Sequence, residues 1–233
     1  MIIKGFQKLT LLDYPGRVAA TVFTPGCDFR CPFCHNASLV LGKDDVPEDE
    51  DVILGFLKER FGRLTGVAIT GGEPLMQPDL PDFIRKIRAL GYSVKLDTNG
   101  SFPEKLRLLL DEGLVDYVAM DIKNCRERYA ETCGLPASVS GGLLANIDES
   151  IGILRTSGTG YEFRTTVVKE LHTAGDIVSM ARWMAGNDKF FLQCFKDSGD
   201  ILKPGLSAYS PDEMKALCLA ASEYLPLVEL RGI

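Results

Sequence analysis

The sequence predicts an α/β fold: a parallel sheet with outer helices, curved into a partial, open TIM-type barrel of about (β/α)6. Three observations predict it. Short β-branched runs alternate with longer amphipathic stretches. The predicted strands are mostly apolar, as expected where helices cover both faces of a parallel sheet. Polar clusters recur just past the strands, where parallel α/β folds gather their working residues. Six predicted strands are fewer than the eight that close a (β/α) barrel, hence the open form. A doubly wound sheet shares the same periodicity and stands as the competing topology.

Element by element, Val18–Phe23 reads as the first, buried strand. Val52–Phe61 reads as a helix whose approach is acidic (Asp44, Asp45, Glu48, Asp49, Glu50, Asp51), which suits the positive end of a helix macrodipole. Gly66–Thr70 is a second strand, stopped by Gly71-Gly72. Asp79–Leu90 is a helix, with Phe83, Ile84, Ile87 and Leu90 on one face and Gly91 after it. Tyr92–Leu96 is a third strand, Pro103–Leu110 a helix with proline in its first turn, and Val115–Ile122 a fourth strand. The second half is fainter: helix Leu144–Leu154, strand Glu162–Val168, helix Asp176–Met184 and strand Phe190–Phe195. A last helix, Pro211–Tyr224, is opened by Ser210, and Leu227–Leu230 reads as a short final strand. Ile177, Met180, Trp183 and Met184 read as core, and His172 as a loop residue rather than a base. No repeat, low-complexity tract or long linker divides the chain, so one domain over residues 1–233 is expected.

Composition narrows the function classes. The 26 Lys and Arg against 32 Asp and Glu leave a net charge of −6, which argues against a general nucleic-acid binder. A 45% hydrophobic and 25% charged chain is ordinary for a globular protein. No apolar run reaches the ~18 residues of a membrane span, so no membrane partner is expected. The opening Met1-Ile2-Ile3-Lys4-Gly5 does not read as a signal peptide, and a cytoplasmic, reducing location is the expectation. In that compartment seven cysteines read as metal or redox candidates rather than disulfides. Three of them, Cys27, Cys31 and Cys34, have the spacing C-x3-C-x2-C on the loop 24–36 after the first strand.

That spacing fits a structural zinc site with His35 as fourth ligand, although adjacent Cys34 and His35 point in different directions. It also fits an iron–sulfur cluster held by three thiolates, with one iron left open for a ligand. Gly71-Gly72-Glu73-Pro74 follows the second strand, and paired glycines allow a close backbone approach or a plain turn. Asp97 and Asn99, after the third strand, fit ribose binding or capping of the next helix. Asp121 and Lys123, two apart, share a side of the fourth strand and pair with each other or with a polar ligand.

Taken together, the C-x3-C-x2-C loop and Gly71-Gly72-Glu73-Pro74 resemble the radical S-adenosylmethionine (SAM) enzymes. Cys34-His35-Asn36, Asp97-Thr98-Asn99-Gly100 and Asp121-x-Lys123 resemble the glycyl radical enzyme activases within that family. The opening, Gly5-Phe6-Gln7-Lys8 through Leu12-Asp13-Tyr14-Pro15-Gly16, resembles activating proteins of anaerobic ribonucleoside-triphosphate reductase. The resemblance implies a [4Fe–4S] cluster on Cys27, Cys31 and Cys34, with SAM bound to its open iron. It implies SAM contacts from Phe33, Gly71, Gly72, Glu73, Asp97, Asp121, Lys123 and Arg164, and a monovalent cation near Asp97 and Asp121. It also implies a glycyl radical enzyme as partner and a one-electron donor such as flavodoxin or ferredoxin. The chain departs from the related pyruvate formate-lyase activases at Lys196, where they carry histidine. Two alternatives remain at this level. One is a radical SAM enzyme acting on another glycyl radical enzyme, a small molecule or a peptide. The other is a non-catalytic zinc or iron–sulfur module. Cys125, Cys133, Cys194 and Cys218 read as ordinary thiols.

Overall fold

A computed structural model describes residues 1–42 and 46–233; Asp44 and Asp45 of the acidic approach lie outside the described residues. Among the described residues eight strands form: β1 (Gly5–Thr10), β2 (Ala19–Thr24), β3 (Gly66–Gly71), β4 (Ser93–Thr98), β5 (Tyr117–Asp121), β6 (Gly160–Val167), β7 (Phe190–Cys194) and β8 (Val228–Arg231). Between them lie α1 (Ala37–Leu41), α2 (Glu50–Arg60), α3 (Leu80–Ala89), α4 (Pro103–Asp111), α5 (Tyr129–Thr132), α6 (Ser140–Thr156), α7 (Ala174–Trp183) and α8 (Pro211–Ser222). The strands are ordered β1 through β8 in the sheet, the same order as in the chain. A doubly wound sheet reverses its strand order at a switch point. A steady progression does not, so the competing topology is excluded and the fold is an open, mostly parallel α/β sheet.

The six predicted strands are β2–β7, and the tentative seventh is β8. The strand that periodicity missed is β1. It runs antiparallel to β2, from Gly5 opposite Phe23 to Thr10 opposite Ala19, with a register shift between Gln7 and Thr10. Its exposed residues Gln7, Lys8 and Leu9 break the alternation that marks a half-buried strand.

The chain divides into two compact units, each assembled from separated segments. The first takes Met1–Asp28, Ser38–Ala119 and Asn146–Gly160; the second takes Phe29–Ala37, Met120–Ala145 and Tyr161–Ile233. Strands β5 and β6 and helices α1 and α6 contribute residues to both.

In the first unit, β3 pairs in parallel with β2 (Ala19 opposite Gly66) and with β4 (Gly66 opposite Ser93). Val22, Val67, Ile69, Val94 and Leu96 are fully buried. Helix α3 buries Leu80, Phe83, Ile84 and Ile87 as its 3.6-residue spacing predicts, and α2 buries Ile53 and Leu57. Asp49 opens α2 by accepting from the Asp51 N–H at 2.8 Å, so the acidic approach supplies a true cap. In the second unit, β7 pairs in parallel with β6 and β8. Ile177 and Met180 of α7 and Met214 and Ala221 of α8 are buried, as are Phe163, Phe190 and Leu192. Thr173 and Ser210 start α7 and α8 with reciprocal capping boxes to Asp176 and Glu213.

Candidate functional site

The predicted site residues fall into two clusters, one in each unit. In the first unit the ends of β2, β3 and β4 meet. Gly71 has φ +119°, and a Cβ there would stand 2.4 Å from the Thr24 backbone. A Cβ on Gly72 would stand 1.7 Å from the Gly26 carbonyl oxygen. The N–H of Gly72 donates to Thr24 O at 2.9 Å and that of Glu73 to Gly26 O at 2.8 Å. The glycine pair therefore exists to let the start of the cysteine loop lie against the end of β3. These two N–H groups serve that contact, the close backbone approach that paired glycines allow.

Glu73 is 1% exposed. Its Oε1 accepts from the Leu75 N–H at 3.0 Å and from the Thr98 hydroxyl at 2.8 Å. Its Oε2 accepts from the Asn99 N–H at 2.7 Å. Burial pushes the carboxyl up to about 7, against the pull of these three donors. Asn99 then reaches forward: its Nδ2 donates to Asp28 Oδ1 at 2.8 Å and lies 3.8 Å from Cys27 Sγ. Its Oδ1 accepts from the Ser101 N–H at 2.9 Å, an Asx turn. Neither Asp97 nor Asn99 caps the following helix, whose N-cap is Phe102 with no side-chain bond. Asp97 instead pairs with the buried Lys95 on the same face of β4. Asp28 and Asn99 are thus the neighbours of Cys27, and the site reading of the sequence missed Asp28. An acid beside a cysteine in the loop was the available signal.

In the second unit, Asp121 at the end of β5 lies between two cations. Its Oδ1 accepts from Arg164 Nε at 2.9 Å and its Oδ2 from Lys123 Nζ at 3.0 Å. Burial alone would raise this carboxyl; the Arg164 and Lys123 charges outweigh it and hold the group at about 2. Burial likewise works against the Lys123 ammonium, and Asp121 with the nearby Cys31 and Cys133 more than offsets it, so its pKa is raised. The three side chains form a partly buried cluster of net charge +1.

His172, fully buried, locks this cluster's backbone. Its Nδ1 accepts from the Val168 N–H at 3.1 Å, which leaves the proton on Nε2 to donate to the Lys123 carbonyl at 2.7 Å. Burial lowers its pKa, and both ring nitrogens are tied to backbone groups. Phe33 is buried with its ring edge-on to His172 at 6.2 Å, and His35 stacks on Phe195 at 5.6 Å. Lys196, just past Phe195, is exposed. Trp183 is half-buried against Tyr129 and Arg126, while Ile177, Met180 and Met184 are in the core.

Cys27 belongs to the first unit, and Cys31 and Cys34 belong to the second. None of the seven cysteines is in a disulfide. Among the described residues, no three His, Cys, Asp or Glu side chains stand together in a metal-holding arrangement. The donor chemistry of the loop nevertheless fits an iron–sulfur cluster, which takes thiolates. A hydrogen bond from Cys133 pulls the Cys31 thiol below the ordinary cysteine value, with burial opposing it and Lys123 assisting. Burial pushes the Cys34 thiol up.

Known proteins share this sequence and fold. The Radical SAM superfamily pattern matches residues 21–181. A Methanocaldococcus jannaschii protein named for glycyl-radical enzyme activation is 30% identical over 236 aligned residues, covering 100% of this chain and 96% of its own. The pyruvate formate-lyase-activating enzyme of Clostridium pasteurianum is 32% identical over 127 residues, covering 52% of each chain. SuiB of Streptococcus suis, solved with the precursor peptide SuiA, superposes with a TM-score of 0.63 at 16% identity, over 91% of this chain and 48% of SuiB. The chain thus spans about half the length of the Clostridium enzyme and of SuiB, and nearly all of the Methanocaldococcus protein. The SuiB likeness shows the fold alone. With two thirds of its length matching the superfamily pattern and a full-length relative among the activating proteins, the chain belongs to the radical SAM superfamily, whose enzymes work with a [4Fe–4S] cluster and SAM.

Proposed function

We propose that this radical SAM enzyme is a glycyl radical enzyme activase, with anaerobic ribonucleoside-triphosphate reductase as its partner. The observation that carries the reading is the alignment, end to end, with a relative named for glycyl-radical enzyme activation. The cysteine loop and the two polar clusters support it. On this reading residues 1–233 form one radical SAM domain, and Cys27, Cys31 and Cys34 hold the cluster. When bound, the cluster supplies reductive cleavage of SAM to methionine and a 5′-deoxyadenosyl radical, which takes a Cα hydrogen from one glycine of the partner.

The protein's part is binding and orientation. Asn99 and Asp28 position Cys27, and Glu73 holds Asn99 in place. The Gly71–Glu73 segment and Asp97 face the methionyl and ribose groups, and Phe33 packs by the adenine. Lys123 and Arg164, only partly neutralised by Asp121, receive the SAM carboxylate; a net +1 cluster is the right charge for an anion. A monovalent cation near Asp97 and Asp121, and flavodoxin or ferredoxin as electron donor, complete the proposal.

The test is anaerobic. Reconstituted, reduced protein is mixed with SAM and with candidate glycyl radical enzymes, and the glycyl doublet is sought by electron paramagnetic resonance. The doublet with anaerobic ribonucleotide reductase is expected. Release of 5′-deoxyadenosine without a doublet on any candidate would move the reading to a small-molecule or peptide substrate. A zinc-loaded protein with no SAM cleavage would reduce it to a binding module.

A further inference from the structure

The first unit carries a surface that neither polar cluster uses. A groove of about 260 Å³ runs between β1, α2 and the turns that lead into β2 and β3. Leu9, Phe56 and Leu64 give it apolar walls, and Lys8, Arg60 and Arg63 stand along it. Adjacent residues of a regular strand face opposite sides. The register shift between Gln7 and Thr10 falls on Lys8 and Leu9, and a bulge of this kind re-aims a side chain, so that both line the groove.

The charge there is unusual for this molecule. The Lys8 ammonium lies 5.7 Å from the centroid of the Phe56 ring and the Arg60 guanidinium 5.4 Å from it, so one ring carries two like charges. Among the described residues no carboxylate forms an ion pair with Lys8, Arg60 or Arg63, Glu59 on the same helix included. The cations of α3 differ: Arg85 pairs with Asp82 and Glu112, Lys86 with Glu50, and Arg88 with Asp116. In a chain of net charge −6, three unmatched cations along one groove reverse the local sign. Apolar surface adjoins them: Leu9, Leu11 and Leu12 are 57%, 69% and 90% exposed. A small polyanion would engage the cations and leave these leucines in water. An acidic protein segment with apolar side chains would engage both.

We propose that the groove docks an acidic, apolar segment of the glycyl radical enzyme that this chain activates. The partner's identity rests on the activase reading; the groove and its charge do not. Val18 and Leu64, which precede β2 and β3, place the groove at the starts of those strands. Thr24 and Gly71 lie at their far ends, ~20 Å away along six residues of strand. The anchor is therefore separate from the chemistry. It holds the partner's glycine segment at a raised effective concentration and leaves the strand ends free to receive it.

The experiment uses the full chain, reconstituted and reduced, with the enzyme on which it raises the glycyl doublet. It measures 5′-deoxyadenosine release from SAM without partner, and the initial rate of doublet formation against partner concentration. In Arg60→Glu/Arg63→Glu, SAM cleavage is expected to match wild type. The partner concentration giving half the maximal rate is expected to rise tenfold or more, with the maximal rate unchanged. In wild type that concentration is expected to rise between about 50 and 300 mM salt, and much less in the variant. Leu9→Ser/Leu12→Ser, which keeps the charges, is expected to raise it by a smaller factor. Should the charge variant misfold, seen as lost SAM cleavage, Lys8→Gln/Arg63→Gln replaces it with the same expectation. Equal half-saturation in the charge variant and wild type overturns the docking site and leaves the activase reading standing. Calorimetric binding of inorganic triphosphate to wild type alone, with partner half-saturation equal in both, reassigns the groove to a small polyanion and overturns it too. No doublet from wild type on any candidate enzyme overturns the activase reading and the docking proposal together.

Discussion

Two carboxylates at strand ends, Glu73 in the first unit and Asp121 in the second, show how environment sets the role of one functional group. Glu73 is bonded by three neutral donors and is 1% exposed; burial dominates, and its carboxyl sits at about 7. Asp121 lies between Lys123 and Arg164; charge dominates, and it sits at about 2. The first is a structural tie that fixes Thr98 and Asn99, and through Asn99 the surroundings of Cys27. The second balances part of a cationic cluster and leaves it with a net positive charge. With neutral donors burial decides the pKa, and with paired charges the neighbouring ions decide it.

The largest expected effect tests the proposed cluster ligands. Cys31→Ala is expected to abolish iron loading and 5′-deoxyadenosine formation; wild-type cleavage in that variant would show the cluster ligands to be misassigned. Next, Gly72→Ala is expected to destabilise by about 3 kcal/mol or more, because its methyl would overlap the Gly26 carbonyl and backbone must move. Urea unfolding reads this, and a wild-type midpoint would refute the close approach. Glu73→Gln follows at ~1–3 kcal/mol, since an amide nitrogen would face the N–H of Asn99 or of Leu75.

The two carboxylates also predict opposite pH trends. The folded-state pKa of Glu73 lies above its ordinary 4.5, so folding binds a proton and stability is lost as pH rises from 4.5 towards about 7, on the order of 3 kcal/mol, a slope that Glu73→Gln removes. The folded-state pKa of Asp121 lies below its ordinary 3.8, so its contribution is present above that value and lost as pH falls towards about 2, at most ~2 kcal/mol for a partly exposed cluster. Lys123→Met is expected to shrink this acid-side loss and to weaken SAM binding; an unchanged SAM affinity would remove Lys123 from the carboxylate contact. Smallest is Ser210→Ala, which removes the side-chain half of the α8 capping box and is expected to cost about 1 kcal/mol in unfolding measurements.

The β2–β7 strands and the long helices were legible because their apolar periodicity is local, and each boundary lies within a few residues of the prediction. Strand β1 was not, because half its residues face solvent and it is a strand only by pairing with β2. The site residues were legible as types at strand ends. Their roles were not: Gly71-Gly72 serve a backbone contact with Thr24 and Gly26, Asp97 pairs with Lys95, and Asn99 turns towards Cys27 and Asp28. The packing of Cys133 was not legible, because the Arg30 segment its carbonyl bonds is distant in the chain.

By itself the sequence determined the α/β class, the order of strands and helices, and the superfamily, since short spacings such as C-x3-C-x2-C carry chemistry within one loop. Only the tertiary structure decided that the strands progress in chain order rather than doubly winding. It also decided that Glu73 is buried while Asp121 is charge-paired, and that the Arg30 N–H meets the Cys133 carbonyl. Each of these depends on contacts between segments far apart in sequence, and burial and electrostatic pairing exist only once those segments are packed together.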